Sequence, residues 1–205
     1  MAIDFVKLWV RLGAQSHAAL VFHELQTRYA ERHRHYHNLK HINAVLAEFA
    51  SARQFCAHPD DVELAAWFHD AIYDPKAKDN EEQSATLCAH ALVDGRVHSE
   101  IITRVHALIL ATKHTAVPSN SDAAVLVDAD LSILGQPKAD FDAYEVAIRQ
   151  EYAWVDETAF REGRAAVLQS FLDRPKIFTT DFFAGRYEAE ARKNLRRSLR
   201  ALRAK

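Results

Sequence analysis

The sequence predicts an all-α protein, one compact multi-helix domain, and three observations point there. Glycine and proline number only 5 each in 205 residues, which favours helices and leaves few hairpin signals. Apolar residues recur at helical spacing in segment after segment. Capping and breaking residues stand where those segments start and stop.

Ile3 to Trp9 reads as an amphipathic helix; its early acid and base (Asp4, Lys7) do not suit a signal peptide. Residues 15–32 carry Ala18, Val21, Phe22, Leu25 and Tyr29 at helical spacing. Asn38 can cap a helix bearing Leu39, Ile42, Val45, Leu46 and Phe49, with His41 beside that stripe. Pro59-Asp60-Asp61 opens a helix that runs through Leu64, Trp67 and Phe68 to the pair His69-Asp70, before Pro75 breaks the chain. Lys76 to Lys78 form a charged loop, and Asp79-Asn80-Glu81-Glu82 looks like an N-cap with acids in the first turn. Helices are expected at 99–113, 121–134, 138–153, 157–172 and 186–203, separated by Pro118, Gly135-Gln136-Pro137 and Arg174-Pro175. With no repeat and no long polar linker, residues 1–205 read as a single domain.

A hydrophobic content of 49% with 26% charged residues is ordinary for a soluble globular chain. Cys56 and Cys88 are isolated, so neither a disulfide framework nor a thiolate zinc site is indicated, and reduced thiols in a cytoplasm are expected. No stretch approaches the roughly 18 apolar residues of a membrane span, so no membrane partner is expected. Net charge is −2, yet Arg186 to Lys205 carries +6 and the remainder −8. Leu195, Leu199 and Leu202 line one face of that basic segment, as in a helix packed on an acidic body. No nucleic-acid-binding motif accompanies it, and duplex binding is not expected.

The chemistry concentrates elsewhere. His41, His69, Asp70 and Asp130 stand where core faces should be, and buried charges need partners. Two imidazoles and two carboxylates from three helices make a mixed N/O shell suited to a divalent ion such as Mn, Fe, Co, Ni or Zn. Adjacent helical residues point about 100° apart. His69 and Asp70 therefore share one ion only over a helix edge or end, and the break at Asp74-Pro75 is consistent with an end there. The competing reading is a set of interior polar groups satisfied by backbone or water.

The order His41, His69-Asp70, Asp130 resembles the H…HD…D signature of HD-domain metal-dependent phosphohydrolases, in particular the stand-alone group of predicted HD phosphohydrolases. The stretches that carry it are Tyr36 to Ile42, Trp67 to Asp74, Asp79 to Ala85 and Leu126 to Gly135. It continues through Arg149 to Tyr152 and Phe160 to Arg164, covering roughly residues 30–180, with the N-terminal and basic C-terminal helices packed on that core. The resemblance implies a metal held by His41, His69, Asp70 and Asp130. It favours Asp130 over Asp128, which cannot share its helix face and would serve as a supporting group or cap. His37, four residues before His41, is an alternative ligand through an H-x-x-x-H pair; because it falls outside the Asn38-capped helix it is read as solvent- or substrate-facing. His106 and His114 are candidates for a second metal or for donation to phosphate; a mononuclear site is expected.

The activity so implied is hydrolysis of a phosphate ester or anhydride of a small metabolite or nucleotide by metal-activated water. Mg joins the candidate ions. Asp74, read as one helical turn after Asp70, is the nearest general base, with Glu81 and Glu82 as alternatives. Lys113, Arg149, Arg161 and Arg164 are candidate phosphate contacts. A di-iron oxygenase on the same scaffold and a non-catalytic metal- or nucleotide-binding module remain as alternatives, and a homodimer is compatible with the sequence.

Overall fold

The computed structural model describes residues 2–204, with ten α-helices, two short 3-10 turns and no strand among them. Contacts within the chain group it into two compact units, 1–127 and 128–205. The dividing line falls inside a continuous helix, Ser121–Leu131, and not in a linker.

The first unit contains α1 (Ala2–Arg11), α2 (Ala18–Tyr29), α3 (Leu39–Ala52), α4 (Pro59–Phe68), α5 (Asn80–Asp94), α6 (Ser99–Ala111) and most of α7 (Ser121–Leu131). Asn38 caps α3 as the sequence predicts, its Oδ1 accepting from Lys40 N at 2.9 Å. Pro59 starts α4, where its missing N–H leaves no bond unmade. From Asp61 to Phe68 nearly every residue of α4 is buried, the mark of a central helix, and α1, α3, α5 and α6 pack around it. An aromatic cluster closes one side: Phe5, Trp9, Phe22 and Trp67 have centroids 5.5–5.8 Å apart. The start of α7 is tied down by Asp122, whose carboxylate accepts from Ala57 N at 2.6 Å and His58 N at 3.1 Å.

The second unit begins with the last turn of α7 and a 3-10 turn, Ser132–Gly135. It continues with α8 (Lys138–Glu151), α9 (Glu157–Leu172) and α10 (Asp181–Arg203). Helix α10 starts at Asp181 and not at Arg186, because Thr180 caps it through Oγ1 to Phe183 N at 3.3 Å. Several of its bases are engaged within the unit. Arg192 binds Glu188 at 2.7 Å and the carbonyls of Leu172, Arg174 and Pro175, while Arg197 meets Asp142 at 2.6 Å. No helix among the described residues is long and apolar enough to cross a membrane.

Candidate metal centre

The pair His69-Asp70 sits at the end of α4, where a helix leaves its last four carbonyls without intrahelical partners. Here each one is satisfied. Ala65 O accepts from His69 N at 2.9 Å and Phe68 O from Ala71 N at 2.9 Å. Trp67 O accepts from the Tyr29 hydroxyl at 2.8 Å, and Ala66 O from the His69 ring at Nδ1, 3.0 Å away. A carbonyl can only accept, so Nδ1 carries the proton, and in the neutral ring Nε2 presents a lone pair. The cap of the helix thus fixes both tautomer and direction of His69. A backbone carbonyl behind the distal nitrogen is the usual support of a metal-ligating histidine.

Three donor atoms meet in front of that nitrogen. His69 Nε2 lies 3.2 Å from His41 Nε2 and 3.2 Å from Asp70 Oδ2, and His41 Nε2 lies 3.3 Å from Asp70 Oδ2. Donors about 2.1 Å from a shared ion and about 90–109° apart stand about 3.0–3.4 Å from each other. The observed spacing fits. A lone pair facing a carboxylate oxygen at this distance also calls for a cation between them, a proton or a metal ion. His41 comes from the first turn of α3, and both histidines are buried.

The buried His41 and His69 rings of the first unit offer two of the ligand atoms of a group that could hold a metal ion. Asp130 lies on the last turn of α7. Asp128 does different work: fully buried, it accepts from Thr179 N at 2.8 Å, Thr180 N at 2.7 Å and Thr180 Oγ1 at 2.7 Å. Burial raises its pKa, which those bonds oppose. At Asp70, burial would likewise raise the carboxyl. When the neighbouring histidines are protonated, the charges of His69 and His37 and the hydrogen bonds from His41 and His69 outweigh it and hold the group well below the usual carboxylate range.

The remaining expected site residues are placed as follows. Asp74 does not stand one helical turn after Asp70, because α4 has ended at Phe68 and residues 69–79 are turn and loop. Its carboxylate instead accepts from Lys76 N at 2.9 Å. Glu82 and Lys113 form an ion pair with each other. Glu82 also borders an open hollow of ≈ 470 Å³ with Ile72 and His90. His114 lies beyond the α6 cap at Thr112, with left-handed backbone at φ 56°, and His106 is half-buried on α6.

His37 precedes the α3 cap, as expected, and stacks on Tyr73 with centroids 4.2 Å apart. Arg149 donates to Tyr152 O at 2.7 Å, Val155 O at 3.1 Å and Glu157 at 3.2 Å. Arg164 is held by Glu145 over the Tyr144 ring, and Arg161 caps the carbonyls at the end of α10, Ala201 O among them at 3.0 Å. All three arginines are thus engaged with groups of the second unit.

Sequence reasoning missed Arg34, Tyr29 and Ser84 as supports of this centre. The helical spacing of Tyr29 marks only its apolar face; its hydroxyl, which donates to Trp67 O, is the signal for the cap. Ser84 Oγ accepts from Ile72 N at 2.9 Å and so pins the turn after Asp70; nothing in its own segment marks that reach. Comparison of the chain with protein-family profiles, with curated proteins and with solved structures gives no match.

Proposed function

We propose that the chain is a metal-dependent phosphohydrolase acting on a phosphate ester or anhydride of a small metabolite or nucleotide. The observation that carries the reading is the meeting of His41 Nε2, His69 Nε2 and Asp70 Oδ2 at 3.2–3.3 Å. The ordered signature His41, His69-Asp70, Asp130 supports it. A bound divalent ion supplies Lewis acidity toward a phosphoryl oxygen and lowers the pKa of water at neutral pH. The chain's own part is to hold the donors. His69 is locked by Ala66 O, Asp70 is held below the usual carboxylate range, and the signature supplies Asp130 as a second carboxylate.

A second reading, a metal-binding module without turnover, is favoured by one observation. The candidate bases Asp74 and Glu82 are engaged with Lys76 N and Lys113. A phosphate-release screen over nucleotides and phosphorylated metabolites, repeated with Mn, Fe, Co, Ni, Zn and Mg, separates the two. Release that vanishes with the metal in Asp70→Ala is the expected result. Metal bound with no release anywhere in the screen would establish the binding module, and release from Asp70→Ala with an empty site would overturn the metal assignment. Two irons per chain with oxygen-dependent turnover would replace hydrolysis with oxygenation.

A further inference from the structure

Arg34 lies in the short connection between α2 and α3, in no helix, yet its side chain is wholly buried. A buried guanidinium is tolerated only when its donors are satisfied. Nε donates to Glu31 Oε2 at 2.9 Å. Nη1 donates to Asp70 O at 2.6 Å and to His37 O at 3.0 Å, and Nη2 to Ala71 O at 3.0 Å. The Tyr29 and Tyr73 rings lie 5.3 and 5.5 Å from the guanidinium carbon.

The choice of acceptors is informative. Asp70 and Ala71 flank the peptide unit that follows the candidate ligand Asp70, in a stretch with no helix to hold it. His37 immediately precedes the Asn38 cap from which α3, and with it His41, departs. One rigid cation therefore joins the two backbone segments that carry three of the donor atoms. Fixing the Asp70 carbonyl fixes the plane of its peptide, which sets the direction in which its side chain leaves the chain.

We infer that Arg34 is a positioning residue for the candidate metal centre, holding the turn after α4 in register with the entry to α3. The inference rests on the reading of His41, His69 and Asp70 as ligands. A lysine would keep the charge and much of the stem, but its compact ammonium cannot span the same three carbonyls as a planar fork. Supporting groups of this kind typically change metal affinity by about 10–100-fold.

The test uses Co(II) with the full chain, wild type and Arg34→Lys, measuring dissociation constant, visible absorption spectrum and urea unfolding without metal. Arg34→Lys is expected to stay folded, bind Co(II) about 10–100-fold more weakly and show an altered ligand-field spectrum. A folded Arg34→Lys with wild-type affinity and spectrum would overturn the inference alone. Loss of the fold in Arg34→Lys would assign the residue to stability and also overturn it. A wild-type chain that binds no Co(II) would remove the metal reading, and this inference with it.

Discussion

At the scale of single residues, the sequence exposes identities and hides partners. His69-Asp70 stands out because two polar residues end an apolar run, and His41 because it sits beside a core stripe. Their supports do not stand out. Arg34 looks like one more base among Arg28, Arg32 and Arg34, and its acceptors at Asp70 and Ala71 lie 36 and 37 residues away. Such pairings follow from helix placement and not from local pattern.

Asp61 poses a sharper question, because two effects oppose each other in one side chain. Burial raises its pKa, while Arg104, 2.5 Å from Oδ2, and the charge of His58 lower it, and the Asp122 carboxylate adds to the rise; burial wins. The native state then holds the Asp61 proton more tightly than the unfolded chain. The associated stability is full below about pH 3.9, the unfolded value, and is lost as pH rises through the higher folded value. Urea unfolding of wild type and Asp61→Asn between pH 3.5 and 6 should show the wild-type advantage shrinking as pH rises. An advantage that grows with pH would mean that Arg104, not burial, dominates.

At the scale of elements, capping chemistry made some boundaries readable. The Asn38 start of α3 and the Pro59 start of α4 fall where the sequence puts them, since each boundary is made by a residue at the boundary. Boundaries made by distant residues were not readable. Helix α4 stops at Phe68, well before Pro75, with Tyr29 and the His69 ring closing its end. Helix α10 starts five residues early at its Thr180 cap, which the distant Asp128 holds in place by accepting from the Thr179 and Thr180 amides and the Thr180 hydroxyl.

Gly135 shows the same dependence in packing. The sequence marks it as a break, but the constraint is a close approach. A Cβ there would stand 2.5 Å from Tyr187 Cβ, 2.7 Å from its carbonyl oxygen and 2.9 Å from its Cα. Two of those atoms are backbone, so the 3-10 turn and α10 would have to separate. Asn194 reinforces the contact, its Nδ2 donating to Leu134 O at 3.0 Å and Gln136 O at 2.9 Å. Gly135→Ala is therefore expected to destabilise the protein by about 1–3 kcal/mol through overpacking. Gly163→Ala, where nothing lies within 4 Å, should match or exceed wild-type stability through helix propensity. Equal midpoints for Gly135→Ala and wild type in chemical unfolding would refute the close approach.

At the scale of the whole molecule, the all-α class was legible because composition and periodicity are sums over many residues and survive local errors. The candidate centre was legible only in part. Its facing donors come from α3 and the end of α4, and spacing along the chain does not fix how such elements converge. That arrangement has a thermodynamic consequence independent of catalysis. A site assembled from separate elements is absent from the unfolded chain, so an ion that binds it favours the native state by mass action. At a free concentration about 100-fold above its dissociation constant the gain is about 2.7 kcal/mol. For a chain of this length that corresponds to a rise in melting temperature of roughly 5–10 °C. The rise should be reversed by a chelator and be absent in Asp70→Ala, whose missing carboxylate removes one of the three facing donors. It should also depend on the identity of the ion, since N/O shells discriminate by softness and geometry. Melting temperatures unmoved by millimolar Mn, Fe, Co, Ni, Zn or Mg would leave the His41–His69–Asp70 cluster a proton-bridged core network and end the case for a metal centre.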